Sequence, residues 1–214
     1  MRDLRTALAW VAEGTALCRK AIGGLDEAAY GKPSRLPGWT RKHVVAHLAG
    51  NAEAIANLVR WARTGEPTPM YASPEARAVG IQTGAALPGA RLTAWFEESA
   101  RVLADAMAGL TAEQWQAPVV TAQGRTVPAS ETPWMRGREV MVHAVDLGAG
   151  IEFADLPGEF LDALREDILA KRGRAGVPSV HGDPAEVTAY LAGRPYTGVT
   201  TADGDPADPL PPWL

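Results

Sequence analysis

Apolar residues recur every three or four positions in four segments of the first 150 residues. This spacing places them on one face of a helix. The segments predict helices over about residues 3–22, 41–63, 89–109 and 132–148, the last extending to Gly148 or Gly150. Four amphipathic helices of this length are typical of an up-and-down bundle. The predicted fold class is therefore mainly α.

The helix at 41–63 has the most regular pattern. Its inward stripe combines apolar residues with a histidine and an asparagine: Val44, His47, Leu48, Asn51, Ile55 and Leu58. Weaker stripes mark the first and third helices, formed by Leu4, Leu8, Val11 and Leu17 in one and by Leu92, Trp95, Phe96, Val102 and Leu103 in the other. We expect these residues to form the core of the bundle.

Capping and turn residues divide the segments from one another. A polar residue followed by proline predicts a helix start, and a Gln-Gly pair between two short apolar runs predicts a hairpin turn. The predicted signals are Thr40 as an N-cap, helix starts at Ser73-Pro74 and Thr132-Pro133, a capping box from Thr111 to Gln114, and a hairpin turn at Gln123-Gly124.

The composition changes after Gly150. A helix is predicted over about 157–172, and Asp183-Pro184 opens another that ends near Gly193. The rest is too rich in Gly and Pro for helix, and His181 is interpreted as a loop residue. We therefore predict a bundle domain over residues 1–150 and a small C-terminal α/β appendage over 151–214.

Composition excludes several classes of protein. Lys and Arg number 21 against 25 Asp and Glu, giving a net charge of −4 without a basic cluster, so nucleic-acid binding is not expected. Neither a membrane span nor a signal peptide is visible, which favours a cytoplasmic protein, and a monomer is favoured. The single Cys18 is expected to be a buried packing residue rather than a nucleophile.

Three residues form a set of metal ligands split over two helices. Glu139 and His143 are four positions apart, so both project from one face of a helix, and His47 comes from the inward stripe of another. Two imidazoles and one carboxylate are typical of a catalytic zinc site with one open position. The alternatives are a core histidine at position 47 and a surface pairing of Glu139 or His143 with Arg136 or Arg138.

Two neighbouring residues could modify this site. His43 lies four positions before His47, a spacing that also suits two ligands of one metal ion. Its side chain could instead line the mouth of the pocket, support a metal ligand or cap the helix. Asp146 lies one turn beyond His143, where its carboxylate could orient the imidazole. A solvated acid at the helix end is the alternative for Asp146.

Three stretches resemble a known family. LPGWTRKHVVAHLAGNAEAI, ETPWMRGREVMVHAVDLG and the C-terminal YLAGRPYTG…LPPWL are together similar to the mycothiol-dependent maleylpyruvate isomerases of the DinB-like metal-binding superfamily. The resemblance covers nearly the whole chain in order and implies a DinB-like four-helix bundle. It also implies that His47, Glu139 and His143 are the zinc ligands and that Arg77 contributes to activity.

The resemblance extends to the tail. Arg194, in the Gly-Arg motif, would contact substrate or thiol or only pack between domains, and packing is the favoured interpretation. The tail looks shorter than that of the family. We therefore predict two cofactor-binding residues besides the metal ligands. They are Arg194 and Asp146, the latter because its carboxylate could orient the His143 imidazole.

The reaction is likewise implied by the resemblance. A zinc-bound mycothiol thiolate would add to the cis double bond of maleylpyruvate, the adduct would rotate, and elimination would give fumarylpyruvate, a step of gentisate degradation. Arg77 would hold a carboxylate of this dicarboxylate substrate. The alternatives are a mycothiol S-transferase or thiol-exchange enzyme acting on an electrophile, and a non-catalytic metal-binding bundle.

Overall fold

The computed structural model describes residues 3–173 and 176–213. These residues divide into two compact units between Gly150 and Ile151. The first unit is a helical bundle with one small hairpin, and the second is a small α/β unit. That each unit folds as an independent domain stays a prediction.

The bundle unit contains six of the α-helices among the described residues. Their bounds are α1 Leu4–Gly23, α2 Glu27–Tyr30, α3 Arg41–Thr64, α4 Pro74–Ala85, α5 Gly89–Ala108 and α6 Thr132–Asp146. Two short 3₁₀ helices, Gln114–Gln116 and Ala129–Glu131, flank a hairpin of β1 Pro118–Val120 and β2 Thr126–Pro128.

Helix α3 is the centre of this unit. It packs against α4, α5 and α6, while α1 packs against α6. The predicted inward stripe of α3 is confirmed, since all six of its residues are buried: Val44, His47, Leu48, Asn51, Ile55 and Leu58. Burial of four aliphatic side chains from one stripe stabilises the helix through tertiary packing rather than through intrinsic propensity.

The inward face of α1 differs from the prediction. The residues Leu4, Leu8, Val11 and Leu17 are only partly buried, and the buried face is instead formed by Ala7, Trp10, Gly14, Thr15, Cys18, Ala21 and Ile22. Small residues on this face let α1 approach α6 closely. The Cys18 thiol, for example, donates to the Val140 carbonyl over 3.1 Å. Periodicity therefore identified the helix but not its buried side.

The predicted inward stripe of α5 is wrong at one position. Leu92, Phe96 and Leu103 are fully buried, but Val102 is 43% exposed. The buried positions of α5 include Ser99, Ala100 and Met107, which turn the stripe away from Val102.

Most of the predicted local signals are confirmed. Thr40 and Ser73 are N-caps, and Thr111 and Gln114 exchange the two hydrogen bonds of a capping box. Strands β1 and β2 pair antiparallel, and Gly124 adopts a φ of 76°, which favours glycine in their turn.

The predicted helix start at Thr132-Pro133 is confirmed, but the expectation that goes with this pattern, that Thr132 is the N-cap, is wrong. The cap is Glu131, and Thr132 is the first helical residue. Its hydroxyl donates to the Ala129 carbonyl over 2.8 Å, because a 3₁₀ turn leads directly into α6. The proline at position 133 still lies in the first turn, where its missing N–H has no cost.

The second unit contains two α-helices and one short strand pair among its described residues. These are α7 Gly158–Arg172 and α8 Pro184–Leu191, with β3 Val180–His181 antiparallel to β4 Thr200–Thr201 and a 3₁₀ turn at Phe153–Asp155. The interpretation of His181 as a loop residue is wrong, since it pairs with Thr200. Across both units, no described helix is both long and apolar enough to span a membrane.

We expect Gly14→Ala to destabilise the bundle by about 1–3 kcal/mol through overpacking. A Cβ at this position would lie 2.5 Å from Cγ2 of Val140, a stiff branched side chain in the α1–α6 contact. Gly80→Ala is the matched control, because nothing lies within 4 Å of its Cβ position in α4; it should stabilise by roughly 0.5–1 kcal/mol. Urea unfolding measures both, and equal stability of the two variants would contradict the close contact.

Candidate metal centre

The three predicted ligands converge between two packed helices. His47 lies on α3, and Glu139 and His143 lie one turn apart on α6. One ligand atom from each residue lies within 4.8 Å of the others. The contact between α3 and α6 therefore brings together residues that are 92 positions apart in the chain.

Both imidazoles face the same carboxylate oxygen. His47 Nε2 lies 2.8 Å from Glu139 Oε2, and His143 Nε2 lies 3.3 Å from it. The two rings are nearly perpendicular, with centroids 4.9 Å apart. The histidine side chains are 5% and 6% exposed and that of Glu139 is 17% exposed, so the cluster has little contact with water.

Asp146 is a buried partner of His143, not a solvated acid. Its Oδ2 lies 2.8 Å from His143 Nδ1, and the residue is fully buried. The carboxylate therefore keeps a proton on Nδ1 and directs Nε2 towards Glu139, which is how a metal-ligating imidazole is usually oriented.

Burial and hydrogen bonding set the charges of the cluster. Burial acts to raise the pKa of Glu139, but hydrogen bonds from His143 and His47 hold this pKa well below its usual value. Burial lowers the pKa of His47. For His143, burial acts in the same direction, yet the bonds to Asp146 and Glu139 raise the pKa to about 9. The ionised Glu139 carboxylate thus lies between a neutral imidazole, that of His47, and a protonated one, that of His143.

This donor set fits a divalent metal ion. Two imidazole nitrogens and one carboxylate oxygen already face one point, and one imidazole has its outer partner in place. The same donors accept zinc, nickel, cobalt or iron, so the donor set indicates a metal but not which one.

The alternative partners of Glu139 are engaged elsewhere. Arg136 Nη1 donates to the Leu48 carbonyl over 2.8 Å and to Asn51 Oδ1 over 2.7 Å. The Arg138 guanidinium lies 5.7 Å from the ring centroid of Trp134. A surface ion pair is therefore not the reason for the Glu139–His143 spacing.

His43 serves as a helix cap. Its Nδ1 accepts from the backbone N–H of Thr40 over 3.2 Å, and its Nε2 lies 3.3 Å from Gln82 Oε1. Both ring nitrogens are thus occupied at the start of α3, and the ring stacks on Trp39. Of the three roles considered for His43, namely lining the pocket mouth, supporting a metal ligand and capping the helix, the geometry supports the cap.

A cavity of about 210 Å³ lies beside His47. Arg77 lines it, and Arg77 Nη2 lies 3.4 Å from His47 Nδ1; its contribution to activity, which the resemblance implies, stays a prediction. Asn51 and Tyr71 also line the cavity. Tyr71 was not among the predicted site residues, because it lies in a Gly- and Pro-rich loop without a recognisable motif. The one feature that could have indicated it is an aromatic hydroxyl six residues before Arg77.

Arg194 lies in the second unit, where it is 4% exposed and its Nη1 donates to the Ala192 carbonyl over 2.8 Å. These contacts are those of a packed residue. Its role towards substrate or thiol stays a prediction.

The fold places the protein in a class: a DinB-like helical bundle with a small C-terminal α/β unit. Residues 11–148 match the model of a family described as the mycothiol maleylpyruvate isomerase N-terminal domain. This match spans more than half of the chain. The chain therefore belongs to the mycothiol maleylpyruvate isomerase family.

Two solved structures extend the similarity to the whole chain. One is described as a mycothiol-dependent maleylpyruvate isomerase; it is 40% identical, with a TM-score of 0.93, over 99% of this chain and 98% of that chain. The other, a histidine-to-alanine mutant described by the same enzyme name, is 39% identical with a TM-score of 0.92, over the same shares of both chains. No curated protein was found to match.

The expectation of a short tail is wrong. Coverage of 98% of the first solved chain shows that the two proteins have nearly the same extent.

We expect His47→Ala to lose stoichiometric metal, because it removes one of three converging ligands. His43→Ala is the matched control on the same helix; it should keep the metal and lose about 1 kcal/mol of stability through the missing cap. Metal analysis after loading with zinc, together with thermal unfolding, measures both effects. Full metal content in His47→Ala and loss of it in His43→Ala would move the ligand to position 43.

Proposed function

We propose that this protein is a mycothiol-dependent cis-trans isomerase that converts maleylpyruvate to fumarylpyruvate with the help of a bound divalent metal, zinc being the expected ion. The observation that carries the proposal is the convergence of His47, Glu139 and His143 beside a cavity that also presents Arg77. The solved relatives, which share 39–40% identity over the whole chain, are described as isomerases of this kind.

His47, Glu139 and His143 would hold the metal. Bound there, the metal would supply the positive charge that keeps a thiol ionised, and mycothiol would supply the nucleophilic sulfur. Asp146 holds the His143 ring so that Nε2 faces the cluster. The buried surroundings exclude water, which strengthens each charge interaction inside the site.

The protein has no thiol of its own for this reaction. Cys18 is fully buried in the α1–α6 contact, and burial raises the pKa of its thiol to about 12. Such a group is neither accessible nor ionised at neutral pH. A thiol from solution is therefore required if the reaction proceeds by thiolate addition.

Arg77 would bind one carboxylate of the substrate. Its Nη2 lies 3.4 Å from Nδ1 of His47. When Nε2 of His47 is a metal ligand, the ring proton is at Nδ1, and Arg77, which has only donors, has no acceptor there. Its guanidinium is then available to a carboxylate and to the negative charge that develops on the substrate during isomerisation.

Turnover of maleylpyruvate by zinc-loaded protein, with and without mycothiol, tests the proposal. We expect fumarylpyruvate to form only when mycothiol is present, and the mycothiol concentration to be unchanged after many turnovers, because addition is followed by elimination. Product absorbance and thiol titration give both quantities.

Two results would replace the proposal by an alternative. Consumption of one thiol per product would indicate a mycothiol S-transferase or thiol-exchange enzyme. Stoichiometric metal without activity on maleylpyruvate or on thiol-reactive electrophiles would indicate a non-catalytic metal-binding bundle.

We expect Arg77→Ala to lower kcat/KM for maleylpyruvate by roughly 10- to 100-fold, because a charge-assisted hydrogen bond to the substrate contributes about 1.5–3 kcal/mol. Its metal content should be unchanged. Arg91→Ala, on the exposed side of α5, is the matched control and should keep full activity. Equal kcat/KM for the two variants would show that Arg77 does not contact the substrate.

A further inference from the structure

The wall of the cavity beside His47 changes in character along helix α3. Residues of α3 between Ala46 and Asn57 line it. Because an α-helix rises about 1.5 Å per residue, His47 and Glu53 are separated by about 9 Å along the helix axis. His47 and Arg77, which contact each other, thus lie at one end of the cavity, and Glu53 and Asn57 lie towards the other.

Glu53 presents a carboxylate oxygen at this second end. Its Oε1 accepts from the indole N–H of Trp95 over 2.6 Å, and both residues line the cavity. An indole has a single donor, so this bond occupies Oε1 only. Among the residues that the structure describes, no hydrogen bond to Oε2 is found. This oxygen is therefore left to accept from a ligand.

Asn57 presents a second acceptor. Its Nδ2 donates to the carbonyls of Pro69 and Met70, over 3.3 Å in each case. Carbonyls only accept, so the amide nitrogen must face them, and the side-chain oxygen is directed away from them. No donor to this oxygen is found in the described part of the chain, and Asn57 lines the cavity. This end thus offers acceptors, whereas Arg77 offers donors at the other.

The two ends suit different chemical groups. A dicarboxylate is attracted by the Arg77 guanidinium and repelled by the Glu53 carboxylate. Glu53 and Asn57 can instead accept from O–H and N–H groups. Of the reactants in the proposed reaction, mycothiol is the one rich in such donors, since its sugar and cyclitol rings carry many hydroxyls. Glu53 is exposed, so the parts of a long ligand that pass it extend into solvent.

We propose that Glu53 and Asn57 form a subsite for the hydroxyl-bearing part of the thiol cosubstrate. The inference rests on the proposed function for the identity of the thiol, whereas the preference for a donor-rich ligand rests on the two acceptors alone. The cysteinyl amide of mycothiol lies close to its sulfur, which belongs at the His47 end. The groups that reach Glu53, about 9 Å further along α3, are therefore the hydroxyls of the rings.

Titration calorimetry of mycothiol with the zinc-loaded protein tests this inference without catalysis. In Glu53→Gln the side-chain oxygen keeps the bond from Trp95, and an amide nitrogen takes the place of Oε2. A donor then replaces an acceptor in the subsite. We expect mycothiol to bind roughly tenfold more weakly than to the wild type, since a hydrogen bond to a charged acceptor is lost. Metal content should be that of the wild type, because the metal ligands are untouched.

Two smaller ligands locate the contact. N-acetylcysteine has the thiol and the amide of mycothiol without its rings, and succinate is a dicarboxylate without a thiol. Each should bind equally to the wild type and to Glu53→Gln. Equal weakening of N-acetylcysteine and mycothiol would overturn the inference, because it would place the contact at the cysteinyl group. Roughly tenfold tighter binding of succinate to the variant would also overturn it, because the dicarboxylate would then occupy the Glu53 end.

Glu113→Gln is the matched control. Glu113 is an exposed carboxylate of the same unit that does not line the cavity. Its replacement changes the net charge of the protein by the same amount, and the affinity for all three ligands should be that of the wild type. An equal loss of mycothiol affinity in both variants would overturn the inference, because it would show an effect of net charge alone.

The outcomes separate this inference from the proposed function. A wild type that forms no fumarylpyruvate, but binds mycothiol in a way that depends on Glu53, would overturn the isomerase proposal and support the subsite. An active wild type whose mycothiol affinity is unchanged in Glu53→Gln would overturn the inference and leave the isomerase proposal intact.

Discussion

The contact of the buried Glu139 carboxylate with two imidazoles is the constraint on which the rest of this structure depends. A lone carboxylate in such a place would cost several kcal/mol. His47 from α3 and His143 from α6 offset this cost by holding the same oxygen, and they do so only when the two helices pack together. The polar centre thus sets the register of the α3–α6 contact, while the aliphatic stripe of α3 provides the stability.

A second buried charge links the core to the cavity. Arg136 comes from the same helix as two of the ligands, and it contacts α3 through Leu48 and Asn51. Burial lowers its pKa to about 10, so it remains charged at neutral pH. The bundle therefore holds a negative cluster and a positive group side by side.

The candidate metal ligands and the residues Tyr71 and Arg77 of the cavity wall come from different kinds of element. The three candidate metal ligands lie on two helices, α3 and α6, where helix packing fixes their separation. Tyr71 lies in the loop before α4, and Arg77 lies in the second turn of that short helix. Within a family, such segments vary more readily than the bundle core. The candidate metal ligands and two of the residues that line the cavity thus lie in different parts of the same unit.

The sequence by itself determined the helices, the caps at Thr40 and Ser73 and the hairpin turn at Gly124, because each depends on neighbours within a few positions. It also indicated His47, Glu139 and His143 as candidate ligands, and the resemblance to the family favoured this set over its alternatives. Helical spacing alone places Glu139 and His143 on one face, and the stripe of α3 directs His47 inward. The tertiary structure decided which face of α1 is buried, since the close approach to α6 selects small residues over the leucines. It also decided that His43 caps a helix, that Asp146 holds His143, and that Tyr71 reaches the cavity. Each of these depends on groups that are distant in the chain or on the choice between several nearby partners, and such choices are made by packing rather than by local pattern.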